Sequence, residues 1–232
     1  MAQLQVLYSD DHLIAVNKLN GLLVHKTRIA KDANEFALQF VRNQTRRTVF
    51  PVHRLDRGTS GVLLFAFSDQ IHSLLSQTFQ KRMVVKYYLA IVRGYTDETG
   101  TINYPLSKEK TGKEQEALTK FERINTVELP FPVGKYRTAR YSLVKVIPYT
   151  GRMHQIRRHF NYISHPVIGD LPHGDYRHNH FFRDKLDCPY LMLHSYSLKF
   201  LHPVFNKEME IKAPILEPMA KIIQRFGWEF NV

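Results

Sequence analysis

Residues 51–69 read PVHRLDRGTSGVLLFAFSD, and the architecture turns on this stretch. Its second half, Val62-Leu63-Leu64-Phe65-Ala66-Phe67, is a continuous apolar run of strand length. Such a run fits a strand covered on both faces. Ser68 is placed to cap a helix, and Asp69 puts negative charge in its first turn. Ile71, Leu74, Leu75, Thr78 and Phe79 then recur at helical spacing. The first half is harder to explain. One carboxylate, Asp56, stands between Arg54 and Arg57, ahead of the turn Gly58-Thr59-Ser60-Gly61. A buried strand does not need an acidic neighbour. Two accounts stay open on these residues alone: an Arg–Asp pair closing a turn, or a carboxylate kept ionised by nearby arginine for chemistry.

On the N-terminal side, Gln3–Tyr8 and Leu13–Asn17 read as short strands around the turn Ser9-Asp10-Asp11. A helix is expected over 32–45, with Phe36, Ala37, Phe40 and Val41 as its apolar stripe and Arg42, Arg46 and Arg47 making its end basic. On the C-terminal side, Val84–Val92 reads as a strand. Alternation puts Lys86, Tyr88 and Ala90 on one face and Val85, Tyr87, Leu89 and Ile91 on the other. The segment 96–120 is polar and reads as a loop, and 126–138 as an insertion between strands. Arg140–Ile147 alternates as a strand should. A helix is expected from Thr150, with Met153, Ile156, Phe160 and Ile163 inward. Residues 166–183 read as a histidine-rich loop, Leu191–Phe200 as a strand, and Leu216–Phe226 as a final helix. Strands and helices do not alternate regularly. An α+β domain around a largely antiparallel or mixed sheet is therefore expected, as a single unit over 1–232.

Lysine and arginine number 33 against 21 acidic residues, a formal net charge of +12. That balance points to a polyanionic partner, nucleic acid first. The one cysteine, Cys188, excludes an internal disulfide and a thiolate zinc site. The N-terminus lacks the pattern of a leader, and no apolar run approaches membrane-spanning length. A soluble cytoplasmic protein is expected. No dinucleotide fingerprint, GxxxxGK, HExxH or GxSxG occurs. His165, His173, His178, His180 and His194 match no metal-ligand spacing, so no metal is expected.

Longer stretches carry more weight than single residues. VHRLDRGTSGVLLFA resembles the signature of the RluA-type pseudouridine synthases. KYYLAIVRG, TGRMHQIRRHFNYISHPVIGD and LMLHSYSLKFLHP resemble three further motifs of that family. LYSDDHLIAVNKLNGLLVH resembles its opening, although Leu19-Asn20-Gly21 departs from the usual pattern there, away from the chemistry. The resemblance implies a catalytic fold with an RNA cleft across its sheet and no cofactor; because its motifs begin almost at Met1, the S4-like domain often found before it is not expected here. It implies Asp56 as the essential carboxylate, Tyr88 as the tyrosine on the uracil, and Arg157 as the partner of Asp56. It implies Arg54 as the side chain that replaces a flipped base. Arg152, His154 and Arg158 are then expected on the substrate, with Ile156 and Leu193 as an apolar wall. Arg42, Arg46, Arg47, Lys81, Arg82, Arg177 and Arg183 are candidates for the RNA backbone. Arg157-Arg158 and HGDYRHN are similar to a branch of the family that modifies uridine 65 in the T stem of tRNA. A monomer acting on tRNA without an obligate protein partner is expected. The rivals are a synthase acting on rRNA or another tRNA position, and a binding protein that has kept the fold.

Overall fold

All seven residues of the strand Ser60–Ala66 are buried, as the continuous apolar run requires. The computed structural model describes residues 3–25, 35–108 and 111–229. In chain order its elements begin β1 (Gln5–Ser9), β2 (Leu13–Lys18), α1 (Ala37–Thr45), β3 (Phe50–Pro51), β4 (Ser60–Ala66) and α2 (Asp69–Gln80). There follow β5 (Val85–Arg93), β6 (Thr99–Asn103), β7 (Leu106–Ser107), β8 (Glu114–Gln115), β9 (Leu118–Leu129) and β10 (Ala139–Pro148). The chain ends with α3 (Gln155–Tyr162), α4 (Tyr176–Lys185), β11 (Leu193–Leu201), β12 (Glu208–Lys212) and α5 (Glu217–Arg225). The class is α+β. Among the described residues no helix is long and apolar enough to cross a membrane.

The chain divides into two compact units. The first takes the residues up to Lys86 and Ser195–Ile215. Here β2 pairs antiparallel with β1 and with β4, Ala15 lying opposite Leu64. β12 pairs antiparallel with β11. One face of β4, namely Val62, Leu64 and Ala66, packs with Leu13, Ala15, Leu198, Phe200 and the α2 residues Ile71 and Leu75. Burying each such large side chain contributes about 1.5–3 kcal/mol. Gly61 has φ +106, and a Cβ there would sit 2.1 Å from the Ser195 carbonyl oxygen. Only glycine permits that approach of two backbones. Ser68 caps α2 as expected, its Oγ accepting from the Ile71 N–H at 3.3 Å.

The second unit takes Tyr87–His194 and the segment from Leu216. Its sheet runs β5-β10-β9-β6, antiparallel throughout, with Tyr88 opposite Val146. α3 lays Ile156 and Phe160 on Ala90, Val92, Val144 and Val146.

Several boundaries differ from the sequence expectation. Of the helix expected over 32–45, residues 32–34 lie outside the described residues. Phe36 is extended, bridges to Leu23, and α1 starts after it. The polar segment 96–120 holds β6 and the β7–β8 hairpin, and Thr126 to Leu129 completes β9 rather than an insertion. The helix expected from Thr150 begins only at Gln155, because the Gln155 side chain turns back. Its Oε1 accepts from Thr150 Oγ1 at 2.6 Å and from the Arg152 N–H at 3.0 Å. His154 then adopts a left-handed conformation, φ 53. Much of the histidine-rich loop is helix α4. Asp175 caps it, accepting from the N–H groups of Arg177 and His178.

Candidate active site

Asp56 and Arg54 belong to the first unit. Tyr88, Arg152, His154, Ile156, Arg157, Arg158 and Leu193 belong to the second.

Asp56 is half-buried on the connection between β3 and β4. Its carbonyl accepts from the Thr59 N–H at 3.1 Å, closing a tight turn. Residues 18–22 fix that turn from outside. Asn20 Nδ2 donates to the Gly58 carbonyl at 2.7 Å, and Arg57 Nε donates to the Gly21 carbonyl at 3.0 Å. So Leu19-Asn20-Gly21, expected to lie apart from the chemistry, fixes the turn that carries Asp56. Arg57 is spent on this anchoring.

Lys18 was not singled out by the sequence, yet it is completely buried. Its Nζ donates to the carbonyls of Leu19 at 2.9 Å, Leu22 at 2.7 Å and Arg57 at 3.1 Å. Those three acceptors match the three protons of an ammonium. Burial pulls the lysine down to about 7, and the Asp56 carboxylate works in the opposite direction. The carboxylate thus favours the charged form of Lys18 at the root of the turn. The available signal was the sequence Val16-Asn17-Lys18, where a lysine ends a strand that opens with the apolar run Leu13-Ile14-Ala15-Val16.

Arg54 is exposed, two residues before Asp56. Its guanidinium adds to burial in lowering the pKa of His25. Of the basic residues at the end of α1, Arg42 and Arg46 are exposed. Arg47 is exposed as well and also makes local contacts. Its guanidinium lies 3.6 Å from the Phe67 ring centroid, and Nη2 donates to the Asp11 carbonyl at 3.0 Å.

In the second unit, Tyr88 packs against the cluster that contains Ile156 and Leu193. The wall residues and the tyrosine therefore belong to one apolar cluster. Tyr87 faces away, with the Lys145 ammonium 5.0 Å from its ring centroid. Arg157 is buried and grips Asp170 in a two-pronged pair: Nε to Oδ2 and Nη2 to Oδ1, both at 2.7 Å. Such a fork fixes the guanidinium plane. Asp170 is itself held in place. Its backbone carbonyl accepts from Asn179 Nδ2 at 2.8 Å, and its Oδ1 accepts from the His173 N–H at 3.1 Å. Asp170 stands in the sequence motif without a role of its own, and only its position across from Arg157 gives it one.

His154 and His173 share a ring–ring hydrogen bond of 2.9 Å. Burial lowers the pKa of His173, Asp170 opposes this, and Arg157, His154 and Arg158 add to it. Arg152 donates to the Glu116 carbonyl, and Arg158 donates to Ser107 through both terminal nitrogens. Arg177 is exposed at the start of α4, and Arg183 pairs with Asp184 at 2.7 Å. Other histidines of this stretch are spent locally. His165 bonds the Arg93 carbonyl, and His178 bonds the Tyr141 hydroxyl.

Residues 12–162 match the protein family described as RNA pseudouridylate synthase. The chain is 43% identical to tRNA pseudouridine synthase C of Haemophilus influenzae, covering 97% of this chain and 99% of that one. It is 44% identical to the protein of the same name from Haemophilus ducreyi, covering 99% and 98%. Among solved structures, human RNA pseudouridylate synthase domain containing 4 superposes with a TM-score of 0.74 at 21% identity, covering 98% of this chain and 95% of that one. That last likeness is one of fold.

Proposed function

The chain belongs to the RNA pseudouridylate synthase family, and on that premise we propose that it isomerises a uridine of tRNA to pseudouridine, at position 65 in the T stem. The observation that carries this reading is the 43% identity, over almost its whole length, to a protein named tRNA pseudouridine synthase C. The anchored turn under Asp56 gives it a physical basis, because a reacting carboxylate has to be held in place.

Asp56 is the reactive group. Ionised, it serves either as nucleophile at the ribose C1′ or as base toward the C2′ proton. By either route the N-glycosidic bond opens, the uracil turns over, and C5 bonds to C1′. The C5 proton then leaves, and Tyr88 is the base assigned to it. Nothing is oxidised or reduced, so the reaction requires no redox cofactor. Tyr88 also stacks on the uracil, with Ile156 and Leu193 as the wall beside it. Arg157, oriented by its Asp170 fork, is the arginine assigned to Asp56.

A uridine in a stem must leave the stack first, at a cost of a few kcal/mol. Exposed Arg54 takes the place of the departed base. Arg42, Arg46, Arg152, His154, Arg158 and Arg177 hold phosphates, which position the RNA rather than read its sequence. The enzyme works in the cytoplasm as a monomer.

The test joins a modification map to one variant. In RNA from cells lacking this protein, tRNA position 65 should keep uridine. The wild-type chain should restore pseudouridine, and Asp56→Ala should not, while still binding tRNA. Loss confined to an rRNA site would move the target. Undiminished product from Asp56→Ala would remove the assigned role.

A further inference from the structure

His53 ends the short strand pairing that precedes Asp56, and it does so with its side chain. β3 pairs antiparallel with β4, with Phe50 opposite Ala66 and Pro51 opposite Phe65. The next pair would be Val52 with Leu64. In an antiparallel ladder, hydrogen-bonded partners exchange two bonds, each N–H going to the other's carbonyl. Half of that exchange is present: the Val52 N–H donates to the Leu64 carbonyl at 3.0 Å. The return bond is diverted. The Leu64 N–H donates to His53 Nε2 at 3.2 Å, so an imidazole nitrogen stands where a strand carbonyl would be.

Two consequences follow. The backbone is released from the ladder at Val52 while the buried Leu64 N–H stays satisfied. The ring must be neutral, because Nε2 offers its lone pair, and its proton therefore sits on Nδ1. The surroundings enforce this. The ring lies stacked on Phe79, centroids 5.1 Å apart and planes 14° apart. Burial and the Lys86 ammonium push it down to about 3, against a hydrogen bond to the Arg54 backbone. Lys86 is itself brought down to about 8 by burial and by Arg82. The chain beyond the ring is short: Arg54, then buried Leu55, then Asp56.

We propose that His53 is a positioning residue for Asp56: its imidazole substitutes for a strand carbonyl and so sets where the chain leaves the sheet and where the carboxylate stands. Lys18, Asn20 and Arg57 fix the turn from the far side, and His53 fixes it from the near side. The assignment rests on Asp56 being the reacting group.

Two substitutions test it. His53→Phe keeps the stack on Phe79 and removes the acceptor. His53→Gln restores an acceptor, since its Oε1 reaches about as far as Nε2. Single-turnover pseudouridine formation and tRNA affinity are measured with each full chain. His53→Phe should lose about a hundredfold in rate, as a displaced reacting group does, with affinity unchanged. His53→Gln should recover most of that rate. A wild-type rate in His53→Phe, or an equal loss in both variants, overturns the proposal. So does a loss that only tracks the unfolded fraction seen by circular dichroism. Nitrogen-15 shifts of the wild-type histidine supply an arm that needs no variant. Nε2 should remain an unprotonated acceptor across about pH 5 to 8, where an ordinary histidine titrates. A ring that takes up a proton in that window overturns the proposal as well. If the wild-type chain makes no pseudouridine, the functional reading fails instead, and the nitrogen shifts still report on the bond.

Discussion

Replacing Lys18 by methionine keeps the length of the side chain and removes its charge and its three donors. The carbonyls of Leu19, Leu22 and Arg57 then lose their partner. A buried acceptor left unpaired costs about 1–3 kcal/mol. Against that, the variant no longer buries an ammonium. A fall from 10.5 to about 7 corresponds to a desolvation cost of about 5 kcal/mol. The two effects largely offset each other at low pH, and their pH dependence separates them. The folded-state pKa lies below the unfolded value. Between pH 7 and 10.5 the unfolded chain therefore binds the extra proton, and stability rises with pH. The contribution is fully present above the unfolded value and is lost as pH falls through about 7. Integrated from pH 6 to pH 9, the wild type should gain about 2.5 kcal/mol that Lys18→Met does not. Urea denaturation of both proteins at the two pH values reads the difference, and titrations common to both cancel. A gap that stays constant, or narrows toward pH 9, would refute the reasoning. The ammonium would then not be depressed by burial.

Two further outcomes follow from the same structure. Asp170→Asn leaves the buried Arg157 without its carboxylate, which should cost about 3–5 kcal/mol of stability, read by thermal or urea unfolding. An unchanged midpoint would mean that Asp170 does not hold the guanidinium. Arg42→Gln with Arg46→Gln should weaken tRNA binding and flatten its dependence on log salt, by about one for each phosphate that is no longer neutralised. Arg47→Gln should leave that slope alone, because its guanidinium is engaged by Phe67 and Asp11. Equal slopes for the two variants would contradict the division.

Legibility followed the range of the forces involved. The strand Ser60–Ala66 and the helix after Ser68 could be read directly, because an unbroken apolar run and a serine cap are local signals. The helix Tyr176–Lys185 could not. Its sequence YRHNHFFRDK is rich in polar residues, and its histidines obscure the Asp175 cap. The start of α3 falls later than its spacing suggests because the Gln155 side chain, rather than the peptide groups, organises the preceding turn. In the candidate site, Asp56, Tyr88 and Arg157 stood out through long motifs. Lys18, His53 and Asp170 did not, since each acquires its role from a group far along the chain.

From the sequence alone came the charge of the chain, the two-face burial of β4, the cap of α2 and the carboxylate among arginines. These depend on composition and on neighbours within a turn or two. The tertiary structure alone decided which charged and titratable groups lose water. Lys18 is buried because three carbonyls, one of them 39 positions away, converge on its ammonium. His53 stays neutral because a strand N–H 11 positions on needs an acceptor. Arg157 is rigid because Asp170 meets it across 13 positions. A buried polar group persists only where partners satisfy it, and partners brought from distant positions are set by the fold. For HRLDRGTSG, the sequence named the acid, and the fold showed what holds it still.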